Sequence, residues 1–117
     1  MNLAQTAAPF MWRDRKGNMH NPKDMETRHI FMTLVVIWNC VMPGDVRINR
    51  SGEWVHHAYY LGPFYTKDYL AQGICVLVRE LSNRQDLEVA WTTTLDRMIY
   101  TLAEHAKEDI TQLKDLT

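Results

Sequence analysis

Cysteine is scarce in this chain, proline and glycine are absent beyond position 73, and no apolar run is long enough to cross a bilayer. The two cysteines, Cys40 and Cys75, each sit inside an apolar, helix-like run. Free cysteine is among the most buried residue types, so both are read as reduced core thiols. A disulfide between helices would need an oxidising compartment, which no feature of the sequence suggests. The longest apolar stretch, Ile30 to Val41, is interrupted by Thr33 and Asn39. It falls short of the roughly 18 residues a transmembrane helix requires, so no membrane association is expected. The N-terminal M-N-L-A-Q-T-A-A-P-F lacks a basic start followed by an apolar core, which argues against a signal peptide and for the cytoplasm.

Catalytic signatures are missing as well. No H-E-x-x-H or Cys/His zinc spacing occurs, no G-x-S-x-G elbow, no phosphate loop and no dinucleotide fingerprint. The histidines (His20, His29, His56, His57 and His105) are scattered. The adjacent pair His56-His57 lies in an extended stretch, where neighbouring side chains point to opposite faces and cannot easily share an ion. Glu26 and His29 are three apart on a helix, a spacing that suits a surface hydrogen bond or an acid–base pair. Neither cysteine has a basic neighbour to activate it. A non-enzymatic protein with no cofactor is the expectation.

Net charge is also small, −1, but unevenly spread: +3 over residues 1–84 and −4 over 85–117. The body is mildly basic and the C-terminal segment acidic, an asymmetry too slight to specify a nucleic-acid partner.

What remains is the pattern of a single domain: 117 residues, 46% of them hydrophobic. Such a chain buries roughly two thirds of its unfolded surface and folds without metal or disulfide. The predicted fold is mainly α, three helices with one or two small β-hairpins. Residues 1–9 carry no pattern and read as a loose arm. A hairpin is predicted over 10–21, turning at Gly17, with Trp12 and Met19 as packing residues. The first helix spans 24–42, capped by Asp24 and stopped by Pro43-Gly44, with Ile30, Phe31, Leu34, Ile37, Trp38 and Val41 on a wide stripe that makes it central. Residues 45–61 read as a second hairpin, 46–48 against 53–55, continued in extended form to Leu61. The second helix spans 66–82, capped by Thr66, and its Gly73 suggests a close helix crossing. The third runs over 86–113 with Asp86 or Asn83 as cap and Trp91, Leu95, Met98, Ile99, Leu102, Ala106, Ile110 and Leu113 as its stripe. Twenty-five helical residues span roughly 38 Å, so this helix bends, frays or packs on another chain. A homodimer through it is the corresponding expectation. The methionines Met11, Met19, Met25, Met32, Met42 and Met98 are read as fillers of irregular core gaps.

The candidate recognition surface is the middle segment, where Arg47, Arg50, Trp54, His56, His57, Tyr59, Tyr60 and Tyr65 lie within 19 residues. Arginine with Trp and Tyr suits a protein hot spot. The same set suits phosphates plus stacked bases. It also suits a mere lid on the core, with polar atoms at the edge. The turn Arg13-Asp14-Arg15-Lys16 either extends a basic rim or is simply solvated.

Trp12 and Gly17 form a W-x-x-x-x-G hairpin, and Asp24-Met25-Glu26-Thr27-Arg28-His29-Ile30 follows at the head of a helix. In these elements, and in Gly62-Pro63-Phe64-Tyr65-Thr66 and Arg79-Glu80-Leu81-Ser82-Asn83-Arg84, the chain resembles small proteins encoded by bacteriophages and prophages, which carry W-x-x-x-x-G and then D-M-x-T-x-H-[IL]. The resemblance implies a phage origin and brings no catalytic residues. An accessory protein that binds a host or defence-system protein, for example an anti-CRISPR or other anti-defence inhibitor, is the expected function. A nucleic-acid or nucleotide binder using the 47–65 segment is the alternative.

Overall fold

A computed structural model describes residues 9–116, with side chains as far as Glu104. Its backbone is mainly α-helical. A two-stranded antiparallel hairpin, β1 (Trp12–Arg13) and β2 (Met19–His20), pairs Trp12 with His20 and Arg13 with Met19. Three α-helices follow: α1 (Thr27–Val41), α2 (Lys67–Ser82) and α3 (Val89–Leu116). Short 3-10 turns at Pro22–Asp24 and Gly44–Val46 flank α1.

Helix α1 is central, as its wide stripe predicts. Ile30, Phe31, Leu34, Ile37 and Trp38 are sealed from solvent, and α1 packs chiefly on α2. The α2 face is Leu70, Ile74, Leu77, Val78 and Leu81. Helix α3 closes the other side with Trp91, Leu95 and Met98, and the Trp91 ring stacks on Phe31 at 4.4 Å between centroids. Gly73 is a close crossing: a Cβ there would come within 3.2 Å of both Ile37 Cδ1 and Phe10 Cζ. Thr66 caps α2, its hydroxyl accepting from the Tyr69 amide at 3.1 Å. The hairpin is fastened to α2 by side chains. The Tyr69 hydroxyl donates to Met11 O at 2.6 Å and accepts from Arg13 N at 2.9 Å, and the Tyr65 hydroxyl donates to the carbonyls of Arg13 and Asp14.

Several expectations need correction. Helix α1 starts at Thr27, with Glu26 in the capping position and Asp24 inside the preceding 3-10 turn. The cause is Asn21-Pro22: Asn21 Oδ1 accepts from Lys23 N, and Pro22 supplies the fixed φ that starts a turn before the helix. Helix α3 starts at Val89, three residues later than expected, and the Asp86 carboxylate instead accepts a 2.6 Å hydrogen bond from the Thr27 hydroxyl. Arg84 joins that junction, donating to Pro22 O, Lys23 O and Glu80 Oε1. The cysteines are not core thiols. Cys40 is half-buried and Cys75 exposed, because each falls on the outer edge of its helix while its aliphatic neighbours take the core. Met25, Met42 and Met98 do fill the core, whereas Met19 faces solvent on the open side of a hairpin that rests on Trp12. Ile99 is exposed, one position off the Leu95–Met98 seam. His29 lies edge-on to His20, and among the described residues no hydrogen bond joins it to Glu26. Ala106, Ile110, Leu113 and His105 lie beyond the described side chains, and residues 1–8 of the arm expected over 1–9 lie outside the described residues.

The second predicted hairpin reduces to a single bridge between Ile48 and Trp54. Two main-chain bonds flank it, Asn49 N to Glu53 O at 2.8 Å and Val55 N to Arg47 O at 3.0 Å, and the Asn49 side-chain Oδ1 closes the tight turn by accepting from the amides of Ser51 and Glu53. The segment is also held by side chains of α1. Asn39, sealed from solvent, accepts from Ile48 N at 2.9 Å and donates to Ile48 O at 2.7 Å. The Trp38 indole N–H donates to Val46 O at 2.8 Å.

Removing the Asn39 amide leaves a buried N–H and a buried C=O unpaired, each costing about 1–3 kcal/mol. Asn39→Ala is therefore expected to lower the unfolding free energy by about 2–4 kcal/mol. Urea denaturation of the two proteins measures it; an unchanged midpoint would contradict the assignment.

Candidate binding surface

Residues 49–61 form a strap over one end of the helices. Its root is fixed by Asn39 and Trp38, and by Arg47, whose Nε donates to Met42 O at 3.0 Å and whose Nη1 donates to His56 O at 2.9 Å. Its tip is fixed to α3. Arg97 Nη1 donates to Gly52 O at 2.7 Å, and the guanidinium lies 3.8 Å from the centroid of the Trp54 ring. Gly52 has φ +91°, and a Cβ there would collide with Thr94 Oγ1, so only glycine lets the tip settle on α3. Beyond His56 the strap is bare: among the described residues, His57 to Leu61 make no hydrogen bond to the rest of the chain.

The eight sequence-predicted residues do not form one patch. Arg47 and Tyr65 serve the fold, through the main-chain bonds above. Trp54 stacks under Arg97 and faces a recess of about 440 Å³ that also takes in Tyr100, Thr93 and Asp96 of α3. Arg50 and Tyr59 border a larger groove of about 610 Å³ between the strap, α1 and the β1–β2 turn. His56, with its Nδ1 near Gly44, and His57 are exposed along the strap. Tyr60 is the most exposed of the tyrosines on this segment.

Arg97 and Tyr100 escaped the sequence reading, because nothing local links them to a tryptophan more than forty positions earlier. The floor of the larger groove, Met32, Val36 and Leu61, was also missed. Met32 and Val36 flank the apolar stripe of α1 and on a helix wheel look like the margin of the core, while Leu61 lies in an extended segment with no stripe to place it.

Arg15 and Lys16 reach the larger groove because the β1–β2 turn is built around Asp14. The Asp14 carboxylate accepts from the amides of Lys16 and Asn18, both at 2.9 Å, and pairs with His20 Nε2 at 2.8 Å. The His20 bond, ahead of the two amides, holds the carboxyl near pKa 2, well below its usual 3.8. At Cys40, burial pushes the thiol pKa up, and the charges of Arg15 and Arg47 oppose that rise. Among the described residues no three His, Cys, Asp or Glu side chains are placed to hold a metal ion, and no helix is long and apolar enough to cross a membrane.

The depressed Asp14 value carries a pH signature. The folded turn binds a proton less readily than the unfolded chain, so its stabilisation is complete above the ordinary value of 3.8 and is lost as pH falls toward about 2. Carboxyl-carbon NMR should give Asp14 a midpoint near 2, with the Lys16 and Asn18 amides moving in step; a midpoint at 3.8 would mean the turn network does not form. Comparison with protein-family models, with curated proteins and with solved structures returns no match for this chain.

Proposed function

We propose that this chain is a phage-encoded accessory protein that acts in the cytoplasm of a bacterial host by binding a host or defence-system protein. An anti-CRISPR or other anti-defence inhibitor is the specific form we favour. The observation that carries the binding reading is the strap, where Trp54, Tyr59 and Tyr60 are 55%, 41% and 79% exposed within seven residues. Isolated apolar residues on a surface are ordinary, but aromatic side chains grouped on one anchored segment are what a protein interface uses. The phage assignment rests on the resemblance in the hairpin and at the head of α1. The absence of a recognisable catalytic constellation in the sequence favours binding over catalysis.

The exposed side of α3, with Val89, Ile99 and Tyr100, offers a second apolar strip that suits a homodimer through this helix. The nucleic-acid reading draws on one observation, the grouping of Arg15, Lys16 and Arg50 with Tyr59 around a single groove. It requires a steep fall of affinity with salt.

Affinity capture from bacterial host lysate, with wild type and Tyr60→Ala in parallel, tests the protein-partner reading. Tyr60 is almost wholly solvated, so its truncation should leave thermal stability within about 0.5 kcal/mol. Recovery of the partner should fall about tenfold or more, the effect of losing an interface aromatic. Equal recovery with both proteins, or none above background, would remove the reading. Light scattering that shows a monomer at high concentration would remove the dimer.

A further inference from the structure

The larger groove has a definite chemical character. Its floor is apolar, made by Met32 and Val36 of α1 and Leu61 of the strap, all half-buried, with Trp12 beneath them. Its rim is cationic. Arg15 and Lys16 stand on the β1–β2 turn, and Arg50 on the strap. Among the described residues Asp14 is the one acid in the lining, and its carboxylate is already taken by His20 and two main-chain amides.

Four other arginines of the chain are committed to the fold. Arg13 lies over the Phe64 ring, Arg47 clasps the strap, Arg84 pairs with Glu80, and Arg97 holds Gly52 and Trp54. Arg15, Lys16 and Arg50, like Arg28 and Arg79, form no ion pair and no side-chain hydrogen bond among the described residues, but these three alone of that set line this groove. The Asp14 turn holds two like charges on one side of the groove, and the Asn49 turn carries the third on the strap. Uncompensated charge around a concave surface attracts the opposite charge and raises its local concentration.

The occupant must satisfy both parts. The volume of about 610 Å³ lies in the range of sites that enclose a small organic group. Asn18, Thr33 and Tyr59 also line the groove, but a nucleobase seated over Met32, Val36 and Leu61 would turn its polar edges onto side chains that cannot pair with them. A leucine- or phenylalanine-sized side chain meets that floor without such a penalty. Carboxylates flanking it would meet the rim. We propose that this groove receives an acidic segment of the protein partner, with one apolar anchor residue over Met32, Val36 and Leu61 and flanking carboxylates against Arg15, Lys16 and Arg50. This rests on the protein-partner reading above and assigns the partner's chemistry.

The test uses the full chain, isotopically labelled, and the N-acetylated peptide Asp-Glu-Phe-Leu-Glu-Asp as probe. Amide shifts at Lys16, Val36 and Leu61 should saturate with peptide at low salt. Binding should weaken about tenfold between roughly 50 and 300 mM NaCl, as screening predicts. It should weaken by about tenfold or more in the double variant Lys16→Glu, Arg50→Glu. Both positions are exposed, so the variant should unfold at the wild-type temperature. The peptide Lys-Lys-Phe-Leu-Lys-Lys should not move these amides. The inference is overturned if no groove amide moves at millimolar acidic peptide, if the basic peptide binds as well, or if oligothymidylate binds the groove more tightly than the acidic peptide. Should it fall while Tyr60→Ala still loses the captured host protein, the partner reading survives with its contact confined to the strap aromatics. If Tyr60→Ala captures as wild type does, the partner reading fails and this assignment fails with it.

Discussion

The surface of this protein depends on one buried amide. Asn39 is sealed from solvent in the most enclosed helix, where a polar side chain without partners would be costly. It is tolerated because it bonds both main-chain groups of Ile48, and Ile48 is in turn sealed from solvent. The pair converts a potential defect in α1 into the fixed point of the strap. Gly52, Trp54 and the groove wall follow from where Ile48 is held. Trp38 and Arg47 reinforce the same junction from either side, through Val46, Met42 and His56.

Much of the scaffold was legible in the sequence because it obeys period. The stripes of α1 and α2 recur at three and four residues, Thr66 caps as its hydroxyl suggests, and Gly73 marks a real close approach. Boundaries were harder wherever a residue had two competing uses. Asn21-Pro22 closes the hairpin and also opens a 3-10 turn, which displaces Asp24 from the helix cap. Asp86 could cap α3 but is drawn to Thr27, and that contact becomes visible only when two helix ends meet. The cysteines misled because their neighbours are apolar, while their own positions fall one step outside the buried arc.

The candidate surface was legible in composition but not in arrangement. Arginine, tryptophan and tyrosine are indeed concentrated over 47–65, yet the fold sorts them. Arg47 and Tyr65 work inward, Trp54 turns toward α3, and Arg50 and Tyr59 border a groove whose other cations come from the first hairpin. Such sorting is decided by partners distant in the chain: Arg97 for Trp54, and the Asp14 turn for Arg50 and Tyr59. No local rule carries that information, so residue type is a better guide to where a surface lies than to which residues share it.

Apart from the buried Ile48 side chain and the Trp54 ring under Arg97, the helices grip the strap by its backbone. Asn39 bonds the N–H and C=O of Ile48, Trp38 the carbonyl of Val46, and Arg97 the carbonyl of Gly52. Main-chain groups are the same whatever side chain they carry. Residues such as Ser51, Glu53, His57, Ala58 and Tyr60 can therefore be exchanged without loosening the anchor points beneath them. A protein built this way can change the side chains of its outer face while the positions that hold that face in place stay constant.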